Sequence, residues 1–165
     1  MINLEQYRDK WLAEGFDEYI GFYNREFFCL DNFSSFKVKV DGVLYSTVEH
    51  AYQASKFLQT APEVAEEITN CYSAYDAQRI AHEHTDKQRA DWDDGKVSIM
   101  ERIVRLKLEQ NPYVKKKLLQ TGDYLICEDS PKDSFWGIGA DKNGRNEMGK
   151  IWMKLRTEIK EQDNI

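Results

Sequence analysis

Residues 46–57 read Ser-Thr-Val-Glu-His-Ala-Tyr-Gln-Ala-Ser-Lys-Phe. If this stretch is a helix, Glu49, Gln53 and Lys56 lie on one face, because residues three and four positions apart share a side of a helix. An acid, an amide and an ammonium group in line suit a polar ligand. The acid would transfer a proton, the amide would orient the ligand, and the ammonium group would bind an anion. The pattern therefore predicts a helix that carries polar chemistry.

Glu49 also has a purely structural interpretation. Ser46 stands three residues before it, and a Ser-x-x-Glu pair is the capping box that begins many helices. In that motif the serine hydroxyl accepts a hydrogen bond from the backbone, and the glutamate reaches back to the cap residue. Capping alone would account for Glu49, so the spacing leaves both interpretations open.

Length and composition indicate one globular domain. The chain has 165 residues, of which 41% are hydrophobic and 32% are charged. No apolar run approaches the ~18 residues that a membrane-spanning helix needs, so we expect no membrane partner. The first residues lack the apolar core of a signal peptide. The sequence therefore predicts a cytoplasmic protein.

Charge and cysteine content argue against several kinds of site. The net charge of −6 does not favour non-specific binding to nucleic acid over a broad surface, although local basic residues could bind a few phosphates. Cys29, Cys71 and Cys127 are far apart, which argues against a disulfide framework and a structural zinc site. The pair His82 and His84 lacks a third ligand at metal spacing. We therefore expect neither a metal nor a cofactor.

Hydrophobic periodicity and turn signals predict an α+β fold that is predominantly α-helical, with a short hairpin and a small sheet in a single domain. The hairpin spans residues 36–45 and turns at Asp41-Gly42. Short strands are predicted at 19–23 and 124–127, with a long loop over 128–145. Helices are predicted over residues 4–14, 46–57, 60–70, 74–84, 96–110, 112–121 and from 146 or 147 to about 161.

Local capping and turn patterns predict two helix boundaries. Thr60 and Glu63 form a second capping-box pattern, with Pro62 in the first turn. Asp93-Asp94-Gly95 reads as a break that follows an exposed Trp92. We interpret residues 1–18 as an N-terminal helix packed on a domain of residues 19–161, and residues 162–165 as a tail.

A glycine-rich stretch from Asp133 to Gly149 is the second informative segment. It fits neither a phosphate-binding P-loop nor a dinucleotide fingerprint, because the required lysine, hydroxyl or third glycine is misplaced. Glycines let backbone amides approach a ligand, and the loop leads into a helix N-terminus that could hold an anion. Trp136 could cover a ring or a sugar. The alternative is an ordinary turn with Trp136 in the core and Asn146 as the cap.

These stretches together resemble the YbiA-like N-glycosidases of the NADAR superfamily, over residues 20–159. The resemblance rests on Phe22-Tyr23, Asp31-Asn32-Phe33, Val40-Asp41-Gly42, residues 47–57, Trp92, Arg102-x-x-Arg105, Asp133-Ser-Phe-Trp136-Gly137-x-Gly139 and Gly144-x-Asn146-x-x-Gly149.

The resemblance implies hydrolysis of the bond between a ribose C1′ and a nitrogen, without a metal. One implied substrate class is the phosphoribosylamino-pyrimidine intermediates of riboflavin biosynthesis, which are removed to pre-empt damage. A second is ADP-ribose on guanine in nucleic acid. A third hypothesis is that the chain is a module that binds ADP-ribose or NAD without cleaving it. The acidic balance of the chain favours the small nucleotide-like substrate.

The resemblance also implies roles for particular residues. Glu49 would be the main catalytic carboxylate and Asp133 the second. We expect the carboxylate of Glu49 and the indole of Trp136 to line one cleft. The implied substrate contacts are Asn32, Phe33, His50, Gln53, Lys56, Trp92, Trp136, Gly137, Gly139 and Asn146.

Overall fold

A computed structural model describes residues 19–22 and 26–164. The predicted helix over residues 4–14, and the segment 1–18 that contains it, lie outside these residues.

The strands are β1 (Ile20–Gly21), β2 (Val38–Val40), β3 (Val43–Tyr45) and β4 (Ile126–Cys127). The helices are α1 (Val48–Ser55), α2 (Pro62–Asn70), α3 (Ala74–Glu83), α4 (Trp92–Gln110), α5 (Pro112–Gln120) and α6 (Glu147–Asp163), with 3-10 turns at Phe28–Leu30 and Thr85–Lys87.

This inventory confirms the predicted α+β class with its predominance of helix. The chain forms two compact units: Cys29–Lys117 is one, and the described residues before Cys29 and after Lys117 form the other. Among the residues that the structure describes, no helix is both long enough and apolar enough to cross a membrane.

The predicted hairpin is confirmed in the Cys29–Lys117 unit. Strands β2 and β3 pair antiparallel, with Val40 opposite Val43. Asp41 and Gly42 both have positive φ angles, 49° and 86°. Two positive φ angles characterise the tight turn whose twist matches the twist of paired strands, and Gly42 adopts this conformation without a steric penalty. The hairpin delivers the chain into α1.

Helix α1 begins one residue later than the capping-box pattern predicted. Thr47 is the cap, and its Oγ1 accepts a hydrogen bond from the backbone N–H of His50 at 3.2 Å. The predicted Ser46–Glu49 capping box is therefore wrong. Thr47 is buried whereas Ser46 is exposed. Both residues carry a hydroxyl group that can cap a helix, and the buried one, Thr47, is the cap. Glu49 consequently needs another explanation.

Two other predicted boundaries are also wrong. Helix α2 is preceded by Ala61, whose side chain makes no capping bond, and Pro62 supplies the first helical residue in place of a Thr60 cap. Asp93-Asp94-Gly95 is not a break: it lies in the first turn of α4, where acidic side chains favour the positive end of the helix. Trp92 thus begins α4.

The core of this unit forms around α1, which packs against α2, α3 and α4 and against both hairpin strands. Every residue of α1 from Val48 to Ala54 is buried, including Glu49, His50 and Gln53. A helix that is buried on all sides carries its polar side chains into the protein interior, where each needs a partner. Apolar burial is contributed by Val48, Ala51, Ala54, Phe57, Val64, Ile68, Ala77, Ile80, Ile103 and Val104.

The other unit pairs β1 with β4 in parallel, with Ile20 opposite Ile126. Helix α6 packs on β4 and extends to Asp163, so the tail predicted for residues 162–165 begins within a helix. Gly149 permits this packing: a Cβ atom there would lie 2.1 Å from the carbonyl oxygen of Ile126. The segment between β4 and α6 is the predicted glycine-rich loop.

Candidate active site

Glu49 lies inside the Cys29–Lys117 unit with 4% of its surface exposed. Its backbone N–H donates to the carbonyl oxygen of Asn32 at 3.1 Å, and its Oε1 accepts a hydrogen bond from Nε2 of Gln53 at 2.7 Å. Burial raises the pKa of Glu49, while hydrogen bonds from Gln53 and Gln78 and the charge of Lys56 act in the opposite direction. A buried carboxyl group with a raised pKa can exchange a proton nearer to neutral pH than an ordinary glutamate.

Lys56 lies above two aromatic rings. Its Nζ is 5.6 Å from the ring centroid of Tyr52 and 5.4 Å from that of Trp92. The two rings are themselves in contact, with centroids 5.0 Å apart. Burial lowers the pKa of Lys56, whereas the nearby charge of Glu49 raises it. The rings therefore hold the ammonium group in place and stabilise its charge.

Trp92 is placed differently from the expectation. Only 4% of its surface is exposed, and its ring contacts Tyr52. A ring that is covered in this way does not present a free face to a base. The structure gives Trp92 the role of supporting Lys56 instead of the predicted substrate contact.

A cavity of about 570 Å³ adjoins this group of residues within the same unit. Gln53 and Lys56 contribute to it from α1. Gln53 is 6% exposed, and its Oε1 has no hydrogen-bond partner among the described residues. A buried acceptor without a protein partner is costly unless water or a ligand donates to it. The cavity is lined by Gln53, Lys56, Tyr75, Gln78, Arg79, His82, Thr85 and Gln88.

The Asp31-Asn32-Phe33 segment supports one side of α1. The amide Nδ2 of Asn32 is 3.6 Å from Sδ of Met100, and the Asn32 carbonyl oxygen binds the backbone of Glu49. Phe33 is half-buried, and its ring meets the ring of Tyr75 edge-on at 4.8 Å. Phe33 therefore reaches the cavity through Tyr75, while Asn32 fixes the backbone at Glu49.

His50 has no polar atom left for a ligand. Nδ1 lies 2.8 Å from Oγ1 of Thr47, Nε2 lies 3.3 Å from the carbonyl oxygen of Cys71, and the residue is 1% exposed. Burial lowers the pKa of His50 and so favours the neutral ring, in which Nε2 donates to the Cys71 carbonyl oxygen and Nδ1 accepts from the Thr47 hydroxyl. The structure thus corrects the predicted substrate contact at His50 to a bridge between α1 and the end of α2.

The glycine-rich loop in the other unit holds Asp133 and Trp136. Oδ1 of Asp133 accepts hydrogen bonds from the backbone N–H groups of Phe135 and Trp136, at 2.9 Å and 2.7 Å. This is the turn that an aspartate side chain forms with its own backbone. The half-buried Trp136 ring meets the Phe135 ring edge-on at 4.9 Å. Asp133 therefore shapes the loop around Trp136.

The first amides of α6 do not form the predicted anion site. The N–H groups of the four consecutive residues from 145 to 148 each donate to a carbonyl oxygen of the loop itself, at 2.7–3.1 Å. A helix N-terminus binds an anion only when its N–H groups are free. The donors are Arg145, Asn146, Glu147 and Met148, and the acceptors are, in the same order, Ser134, Gly137, Phe135 and Trp136.

Asn146 and the two predicted loop glycines also serve the fold. The buried Asn146 side chain accepts from the backbone N–H of Glu128 at 3.0 Å and donates to the carbonyl oxygen of Ile126 at 2.8 Å. The predicted substrate contact at Asn146 is therefore corrected to a link between β4 and α6, and it makes no capping bond. A Cβ atom on Gly137 would lie 2.6 Å from the Glu128 carbonyl oxygen. Gly139 has a φ of 69°, which glycine adopts freely.

The sequence interpretation missed the second wall of the cavity. Tyr75, Gln78, Arg79 and His82 recur at helical spacing along α3, and this periodicity was the available signal. His82 was considered only as a metal ligand. Within residues 19–22 and 26–164, no three His, Cys, Asp or Glu side chains are grouped to hold a metal ion.

Three curated relatives resemble this chain. A riboflavin biosynthesis protein of Vibrio vulnificus is 41% identical over 132 residues, which cover 80% of this chain but only 35% of that protein. An N-glycosidase of Nostoc punctiforme is 37% identical over 133 residues, with 80% and 85% coverage. The N-glycosidase YbiA of Escherichia coli K12 is 32% identical over 145 residues, with 87% and 89% coverage.

Structure and family comparisons agree with these relatives. The NMR structure of E. coli YbiA matches with a TM-score of 0.77 and 30% identity, covering 86% of this chain and 83% of that chain. The family model described as the NADAR domain matches residues 21–160. The resemblance to YbiA-like proteins is therefore confirmed. The chain belongs to the NADAR domain family, and its relatives include N-glycosidases, which are hydrolases.

Proposed function

We propose that this chain hydrolyses the ribose C1′–N bond of phosphoribosylamino-pyrimidine intermediates of riboflavin biosynthesis, with Glu49 as the main catalytic carboxylate. The names of the relatives support an N-glycosidase and a link to riboflavin biosynthesis. The observation that carries the assignment of Glu49 is its hydrogen bond to Gln53, a residue that lines the cavity.

The proposed reaction proceeds through a transition state with positive charge at C1′. The C1′–N bond breaks and its electron pair stays on nitrogen, while a water oxygen bonds to C1′. Glu49 accepts a proton of that water and later returns it to solvent, while the nitrogen takes a proton from solvent as the base leaves, so the net reaction adds one water across the bond. The carboxylate also stabilises the developing charge. Gln53 orients the carboxylate through its Nε2 and offers its Oε1 to an N–H or O–H group of the substrate.

Further roles are proposed from the family resemblance. Asp133 is the second carboxylate and assists proton transfer, and Trp136 covers the base or the ribose. Phe33 supports the wall of the cavity through its ring contact with Tyr75. Truncation of Trp136 to alanine is expected to raise KM more than it lowers kcat, because a covering ring contributes mainly to binding.

The test compares wild type with Glu49→Gln on two substrates, a phosphoribosylamino-pyrimidine and guanine-linked ADP-ribose in an oligonucleotide. Release of the free base is followed by chromatography. We expect release from the phosphoribosyl compound, reduced about 10²- to 10⁴-fold in Glu49→Gln. Glu66→Gln is the matched control, because Glu66 is an exposed acid on α2 that does not line the cavity.

The alternatives give different results. Faster release from the oligonucleotide would favour the ADP-ribosyl-guanine hydrolase. Calorimetric binding of ADP-ribose or NAD without release of any base would favour the non-catalytic module. Equal rates for wild type and Glu49→Gln would remove the catalytic assignment.

A further inference from the structure

The cavity has two walls with different chemistry. Gln53 of α1 and Lys56, the cap residue at the C-terminal end of α1, form one wall, which we call the α1 wall. The other, the α3 wall, consists of Tyr75, Gln78, Arg79 and His82. Its volume of about 570 Å³ lies within the usual range for sites that enclose small organic ligands. A phosphoribosyl ligand has a reacting end at C1′ and an anionic end at its 5′-phosphate. The walls indicate which end of the ligand lies where.

The α1 wall is the reacting end. Gln53 connects the cavity to the carboxyl group of Glu49 through a 2.7 Å hydrogen bond. Its Oε1 is buried and has no partner in the described part of the chain, so a donor on the ligand would satisfy it. Lys56 belongs here too, because it rests on Tyr52 and Trp92 and interacts electrostatically with Glu49.

The α3 wall carries a permanent cation at the solvent side. The Arg79 side chain is 56% exposed, and His82 lies three residues further along the same helix face. Arg79 pairs with the exposed Glu83 at 2.8 Å and with the half-buried Asp76 at 3.8 Å, and both acids are on its own helix. Exposed pairs of this kind contribute little free energy. A phosphate can therefore replace them at the guanidinium group, whose planar fork suits two phosphate oxygens.

We propose that Arg79 binds the 5′-phosphate of the substrate at the α3 wall, while Lys56 stays with Glu49 at the reacting end. This inference rests on the proposed function for the identity of the ligand. It replaces the expectation that Lys56 holds the phosphate. His82 supplies a second donor on the same face.

Calorimetry with ribose 5-phosphate and with ribose tests the proposal without requiring turnover. Wild type is expected to bind ribose 5-phosphate more tightly than ribose. Arg79→Gln should weaken ribose 5-phosphate binding by about 10- to 100-fold, the usual range for a lost charged hydrogen bond, and leave ribose binding unchanged. Arg79→Lys should restore part of the affinity, because it keeps the charge but not the fork.

Two further variants sharpen the test. Glu83→Gln removes the acid that competes for Arg79 and is expected to tighten ribose 5-phosphate binding. Arg102→Gln is the matched control, since Arg102 pairs with Asp41 of the hairpin turn and does not line the cavity. Equal binding by wild type and Arg79→Gln would overturn the proposal, as would wild-type binding that does not distinguish ribose 5-phosphate from ribose.

The two proposals fail in distinguishable ways. Binding of ribose 5-phosphate that depends on Arg79 supports the phosphate site even if no base is released from any substrate. Base release that is unaffected by Arg79→Gln, at substrate concentrations below KM, overturns the phosphate site and leaves the N-glycosidase intact.

Discussion

Gln53 donates a hydrogen bond of 2.7 Å from Nε2 to Oε1 of Glu49, one helical turn before it, and its own Oε1 has no partner among the described residues. The amide therefore has one end on the carboxyl group and a buried acceptor without a protein partner at the other. This arrangement couples ligand binding to the charge of Glu49, and it motivates the first two predictions.

Glu49→Gln is expected to stabilise the protein while it lowers turnover about 10²- to 10⁴-fold. Burial raises the pKa of Glu49, so ionisation at neutral pH costs folding free energy. The glutamine side chain has a similar shape, carries no charge and still accepts the hydrogen bond from Gln53. We therefore expect Tm to rise in the variant. Scanning calorimetry at pH 7 measures it, and a lower Tm would contradict this account.

Gln53→Met is expected to shift the pH dependence of activity. The hydrogen bond from Gln53 lowers the pKa of Glu49, so its removal raises that pKa further. If Glu49 acts as the base, activity is lost as pH falls through its pKa, and this acid limb of kcat/KM should move to higher pH in the variant. Gln59→Met, at an exposed position after α1, is the control. An unchanged acid limb would mean that Glu49 does not control it.

Thr47→Ala and Ser46→Ala test where α1 begins. Loss of the Thr47 cap should cost about 1 kcal/mol or more of the free energy of unfolding, because it removes a bond to the His50 N–H and another to the His50 ring. Ser46→Ala should change it by less than about 0.5 kcal/mol, as expected for an exposed position. Urea unfolding of both variants provides the measurement, and equal costs would restore Ser46 as a cap.

Because of Lys107, we expect the free energy of unfolding to increase at alkaline pH. Its Nζ is fully buried and donates to the Asp31 carbonyl oxygen at 2.9 Å and to Ser34 Oγ at 2.8 Å. Burial lowers its pKa from 10.5 to about 7, so between these values the unfolded chain binds more protons than the folded one. Stability therefore rises with pH across this window, because deprotonation relieves the cost of a buried charge, and the neutral amine still has N–H donors for both bonds.

The measurement for Lys107 is the free energy of unfolding of wild type minus that of Lys107→Met, followed from pH 7 to pH 10. This difference should rise steadily across the window. A constant difference would show that Lys107 has the same pKa in the folded and unfolded chain.

Local features were predictable from the sequence, and features that depend on burial were not. The hairpin was predicted correctly because Asp41-Gly42 specifies its turn by backbone conformation alone. The start of α1 was not, because Ser46 and Thr47 are both good caps and only the burial of Thr47 distinguishes them.

The candidate site shows the same division. Glu49, Gln53 and Lys56 share one helix, so their proximity follows from spacing. The proximity of the cavity-lining residues on α3 does not follow from spacing. Helical periodicity shows which residues share a face, and it does not show which other helix that face contacts. The polar side chains of His50 and Asn146 matched a ligand-binding pattern, yet both are occupied by backbone groups that are distant in the sequence.

The loop before α6 has a consequence for engineering. Since its own carbonyl oxygens hold the first amides of the helix, the course of the backbone does not depend on what it displays outward. Exposed positions such as Ser134, Ala140 and Asn143 can then be randomised in a library while Asp133, Gly137 and Asn146 are kept. Such a scaffold separates the shape of the segment from its surface chemistry, and this separation is what a designer needs to recruit new ligands without rebuilding the chain.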